Sequence, residues 1–140
     1  MVSKAHDIVQ NIAALSTKIQ TITSRPLTLL AVSKTKPVSD IQMAYDAGHR
    51  HFGENYIEEF VEKAPQLPQD ICWHFIGHIQ SNKAKKLVSV PNLRMIESLD
   101  SLKLAEKLNK ELEKIEREKL DVLVQVATGD EDTKHGIEIS

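Results

Sequence analysis

A single cysteine, Cys72, stands in the 140 residues, so no internal disulfide can brace the fold and a reducing compartment is the natural setting. Neither sign of charge is in real excess: the formal net charge is -2 and the pI is near 6.3. That excludes the global basic field which nucleic acid or an anionic membrane would demand, so any binding must come from a local site. No apolar run approaches the length of a membrane span, and the opening MVSKAHDIVQ lacks the hydrophobic stretch of a secretory signal. A cytoplasmic protein is expected. Hairpin signals are missing throughout, which leaves parallel strands joined by long connections.

What is present begins with LTLLAVSKTKP, residues 27 to 37. Leu27, Leu29, Leu30, Ala31 and Val32 read as a strand buried on both faces, the pattern of a parallel strand covered by helices. Pro37 suits the first turn of a helix, so the segment reads as strand, short turn, helix. Lys34 then emerges where the strand leaves the core, at the edge where α/β proteins collect ligand groups. Two readings of Lys34 stand side by side. It is one of eighteen Lys and Arg residues and points into water, or it sits at a low-dielectric rim where a neutral amine can form an imine with an aldehyde.

Along the chain, Ile8, Ile12, Leu15, Ile19 and Ile22 form one stripe of a helix over residues 4 to 22. Val38, Ile41, Ala44 and Tyr45 form a second stripe, and Gly48 stands at the left-handed cap position. A short strand, His49 to Phe52, leads to a helix carrying Ile57, Phe60, Val61 and Ala64. Ile71 to Ile76 is the third strand, Leu93 to Ile96 the fourth and Val122 to Val126 the fifth. Ser81 or Asn82 caps a short helix through Leu87 and Val88. Ser98 or Asp100 caps the helix carrying Leu104, Leu108, Leu112 and Ile115. This β/α repeat fits two closures: a five-stranded doubly wound sheet, or part of an eightfold β/α barrel. By length the chain is one domain.

Most candidate sites have plain readings. His74 and His78 straddle a strand end and Gly77, and no third ligand is near in sequence, so a metal site is not expected there. Asp130, Glu131 and Asp132 read as a solvated acidic turn rather than a calcium loop. Lys83, Lys85 and Lys86 read as a helix face in water, and Cys72 as a small core residue. No serine has the nucleophile-elbow context, and no catalytic residue is assigned. One constellation remains: Lys34 at the end of the first strand, Gly53-Glu54-Asn55 at the second, and His74 to Gly77 at the third. Amine, amide and imidazole on one rim suit a flat polar ring held by an imine.

At these residues the chain resembles the YggS/PROSC family, the pyridoxal 5'-phosphate homeostasis proteins. LLAVSKTKP, HFGENYIEE, WHFIGHIQSNK and TKHGI resemble that family's blocks in the family's order, from about residue 27 to the end. The resemblance implies a fold-type III β/α barrel of the alanine racemase kind, of which residues 1–140 would be the N-terminal portion, about five β/α units. It implies that Lys34 carries pyridoxal 5'-phosphate as a Schiff base, with Lys36 the second, non-bonding lysine and Asn55 and His74 lining the cofactor. It implies a monomer or weak dimer that stores or buffers the cofactor without catalytic turnover. A racemase or decarboxylase of the same fold, or a truncated fragment that binds nothing, are the alternatives. The family's phosphate-binding serine and glycine residues, and the arginine facing the pyridine nitrogen, belong to later strands that this chain does not contain. Ala127 stands where relatives often carry asparagine.

Overall fold

The computed structural model describes residues 4–129 and 135–138. Five parallel strands form one sheet in the order β1-β2-β3-β4-β5: β1 (Ala31–Val32), β2 (His51–Glu54), β3 (Cys72–Phe75), β4 (Leu93–Leu99) and β5 (Asp121–Val124). Their connections carry α2 (Val38–Asp46), α3 (Ile57–Lys63), α4 (Ala84–Val88) and α5 (Leu102–Lys114), with α1 (Lys4–Ile22) ahead of β1. This order decides between the two closures. A doubly wound sheet must reverse its strand order at a switch point, whereas strands added one after another place every right-handed crossover on the same side. The sheet is five consecutive β/α units of a barrel wall.

Register shows how the two faces differ. Phe52 lies beside Trp73 and Phe75 beside Ile96; all four are at most 1 % exposed and form the core beneath the helices. Phe60 on α3 meets both Trp73 and Phe75 through its ring, fixing that helix across the strands. The alternate row, Val32, Gly53, His74 and Met95, faces the concave side. Phe52, Phe60, Trp73 and Phe75 together account for much of the apolar burial, at roughly 25 cal/mol per Å² removed from water.

The first strand departs from the expectation of burial on both faces. Leu27 is 62 % and Val32 49 % exposed, and only Ala31 and Val32 pair with β2. The apolar run is what a strand inside a closed barrel needs, but here β1 is an edge, and among the described residues nothing covers its concave side. The same reason leaves Val122, Leu123 and Val124 of β5 exposed. β2 begins two residues later than the pattern suggested, at His51, because His49 and Arg50 finish the turn that Gly48 makes at φ 97°. The stripe of α1 is half-buried at Ile8 and Ile12, while Leu15 and Ile22 are exposed.

The cap of α5 is neither Ser98 nor Asp100. Ser101 accepts from the Leu104 N–H, while Ser98 is buried and donates to the Gly77 carbonyl at 2.5 Å. Asp100 turns instead toward His78. The Asp130–Asp132 turn lies outside the described residues.

Candidate functional site

The turn that carries Lys34 is built tightly. Ser33 continues the β1 pairing, its N–H donating to the Gly53 carbonyl at 2.9 Å, and the Lys36 N–H returns to the Ser33 carbonyl at 3.1 Å. Lys34 and Thr35 are therefore the central residues of a four-residue turn. Thr35 has φ 61°, a left-handed conformation that a β-branched side chain adopts only at a cost. What holds it is a buried polar network on the helix side. The Thr35 N–H donates to Glu59 Oε1 at 2.6 Å, and the Lys63 ammonium donates to the Ser33 carbonyl at 3.0 Å, to Glu54 Oε1 at 3.1 Å and to Glu59. The Ser33 hydroxyl donates to Glu54 Oε1 at 2.7 Å. Glu54 is fully buried and Lys63 8 % exposed. Burial pushes the Glu54 carboxyl above the usual range, and the bonds from Ser33 and Lys63 oppose that push.

Lys34 itself is exposed, which favours the first of its two readings, an amine in water, over a desolvated amine at a dry rim. The physical reason is the same open concave face that exposes Val32: the turn presents the lysine, but no described wall rises opposite it.

Asn55 lies two residues past Gly53, as Lys34 lies two past Val32, and Val32 and Gly53 are register partners. The two therefore stand at adjacent strand tips. Gly77 fixes the neighbouring tip, since a Cβ there would sit 1.9 Å from the Asn55 carbonyl oxygen. Only glycine allows β2 and β3 to approach so closely at their ends. The Asn55 Oδ1 is buried and has no hydrogen-bond partner among the described residues. An orphaned acceptor of this kind costs free energy unless a ligand satisfies it.

His74 occupies a different level. It lies one concave-face row inside the strand end, 7 % exposed, with Nδ1 2.7 Å from Glu97 Oε1 and Nε2 3.1 Å from His51 Nδ1. Desolvation, then the nearby His74 and His49, push His51 below its ordinary value. Both ring nitrogens of His74 are thus engaged in a ladder across β2, β3 and β4. Lys34 and Asn55 thus stand at neighbouring strand tips, and His74 lies one row further in, at the floor rather than the rim. Glu59 and Lys63 escaped the sequence reading, and Glu54 was named only as part of the second strand end; the four-residue spacing of Glu59 and Lys63 was the one visible signal of the network.

A parallel β/α barrel wall with a lysine in the turn after its first strand defines a class of lysine-bearing barrel proteins. The alanine racemase N-terminal domain family matches residues 6–140, and this chain belongs to it. It is 50 % identical to the pyridoxal phosphate homeostasis protein of Mus musculus over 78 % of this chain and 42 % of that protein. It is 46 % identical to the protein of the same name from Schizosaccharomyces pombe over 84 % of this chain and 49 % of the relative. A solved structure of PipY from Synechococcus elongatus with PLP bound superimposes with a TM-score of 0.75 at 36 % identity, covering 89 % of this chain and 56 % of PipY. The chain spans about half the length of the relatives it matches.

Proposed function

We propose that this chain is the lysine-bearing N-terminal portion of a pyridoxal 5'-phosphate homeostasis protein, holding the cofactor on Lys34 without catalytic turnover. One observation carries the reading: the exposed Lys34 and Asn55, whose Oδ1 is buried and unpartnered among the described residues, stand at adjacent strand tips in a chain of this family. The donor set fits the group, which offers an aldehyde to an amine and a ring of polar atoms to an amide. When bound, the cofactor supplies the aldehyde that condenses with the lysine amine and releases water. The chain's own residues do the rest. The Glu54–Lys63–Glu59 network holds the turn so that Lys34 projects beyond the strand end, and Gly77 keeps Asn55 alongside it. His74, braced by Glu97 and His51, forms the polar floor.

An exposed amine suits storage, because an open rim lets the cofactor leave. A racemase or decarboxylase needs a second acid/base group opposite the lysine. Of the two tyrosines, Tyr45 donates to Asp70 at 2.6 Å beneath the Arg50 guanidinium, and Tyr56 is 54 % exposed. No described helix is long and apolar enough to cross a membrane; a cytoplasmic setting and a monomer or weak dimer belong to the same proposal. Adding pyridoxal 5'-phosphate should produce a visible imine band that Lys34→Ala abolishes and Lys36→Ala retains. Persistence of the band in Lys34→Ala overturns the assignment, and turnover of an amino acid by the loaded chain would favour the enzyme.

A further inference from the structure

His78, Asp100 and His135 come from three separate connections, after β3, after β4 and beyond β5, yet one potential ligand atom from each lies within 4.8 Å of the others. The imidazoles of His78 and His135 are stacked with centroids 3.7 Å apart and an interplanar angle of 13°. Asp100 is the telling member. Its side chain is only 13 % exposed, and its recorded partner, His78 Nδ1, stands 3.3 Å away. A charge-assisted bond settles at about 2.7–2.9 Å. The same chain reaches that distance where a histidine and a carboxylate are fully matched, at 2.7 Å between His74 and Glu97. The Asp100 carboxylate is thus largely withdrawn from water, and among the described residues its one ion-pair partner, His78, stands beyond the distance of a close charge-assisted bond.

We propose that His78, Asp100 and His135 bind a divalent transition cation of the zinc class. Two imidazoles and a carboxylate are the donor set such ions prefer. Tetrahedral ligands at about 2.1 Å from one ion stand about 3.4 Å apart, so closing a cluster whose atoms lie within 4.8 Å of one another needs each ligand atom to move by no more than about 0.8 Å. The two imidazoles turn about their Cβ–Cγ bonds from stacked planes to aim their lone pairs at a common point. Three protein ligands leave a fourth position to water, as in exchangeable rather than closed structural sites. The ion would tie together the connections that follow β3, β4 and β5, on the same rim as Lys34 but at the far side of the sheet. It needs no pyridoxal phosphate and stands or falls apart from the cofactor reading.

Zinc chloride titrated calorimetrically into the chain is expected to bind at one ion per chain. Asp100→Asn and His135→Ala should each raise the dissociation constant roughly tenfold or more, since losing even an outer-shell partner costs that much, while His49→Ala leaves it unchanged. Zinc should also raise the melting temperature of the wild type by mass action, and not that of His135→Ala. If the variants fold poorly, wild-type imidazole NMR decides: zinc must shift the His78 and His135 signals. Absence of stoichiometric binding, equal binding in Asp100→Asn and wild type, or shifts confined to other histidines each overturn the site.

Discussion

Replacing Lys63 by methionine removes one cation from under the Lys34 turn and leaves Glu54 fully buried, with Ser33 as its remaining hydrogen-bond donor. Breaking a buried pair from one side costs roughly 3–5 kcal/mol, because the remaining charge is stranded. Glu54 can escape by taking up a proton, and that sets a ceiling which depends on pH. From an ordinary value of 4.5, neutralising the carboxyl at pH 7 costs about 3 kcal/mol, at about 1.36 kcal/mol per pH unit; at pH 5 it costs about 0.7 kcal/mol. The lost bond to the Ser33 carbonyl adds about 1 kcal/mol at either pH. Because burial already raises Glu54 in the wild type, these sums are upper limits, and urea unfolding followed by circular dichroism should show Lys63→Met destabilised by up to about 4 kcal/mol at pH 7 and by up to about 2 kcal/mol at pH 5. In Lys63→Met/Glu54→Gln most of the pH-dependent part should vanish. A loss of the same size at both pH values, or one below about 0.5 kcal/mol at pH 7, would show that the network does not hold this turn.

Gly77→Ala places a methyl 1.9 Å from the Asn55 carbonyl oxygen, so it should lower stability by about 3 kcal/mol or more in urea titrations and weaken cofactor binding with it. Ser101→Ala should cost about 1 kcal/mol by the same assay, while Ser98→Ala disturbs the Gly77 carbonyl and leaves the α5 cap intact. Hydrogen bonds from Lys107 and Lys114 depress the Glu111 carboxyl from 4.5 to about 2. A depressed folded value means that the unfolded chain binds the proton more readily. The Glu111 contribution is therefore complete above 4.5 and is lost as pH falls toward 2, and Glu111→Gln should flatten that part of a pH titration of stability.

The parallel β/α order was legible because its signals are local: Leu104 and Leu108 mark one face of α5, and Gly48 and Pro37 punctuate the turns. The strand tips that carry Lys34 and Asn55 were legible because Lys34 follows an apolar run that had to be a strand, and Asn55 follows a short segment bracketed by Gly48 and Gly53. The pairing of Glu54 with Lys63 was not, since nothing in GENYIEEFVEK says that its first glutamate points into the helix layer. Alternation along β2 decides that, and the start of β2 depends on where the Gly48 turn ends. The α5 cap was misplaced among Ser98, Asp100 and Ser101 because all three are good capping residues, and only the β4 register sends Ser98 to Gly77. Burial of Leu27 and Val32 was over-read for a different reason: an apolar strand is written for its neighbours, and β1 has a neighbour on one side alone.

Borohydride reduction of the chain equilibrated with pyridoxal 5'-phosphate, followed by peptide mapping by mass spectrometry, tests the central claim most directly. The account requires the reduced pyridoxyl group on Lys34. Labelling of Lys36 or Lys63 instead, or an even spread over the surface lysines, would contradict it.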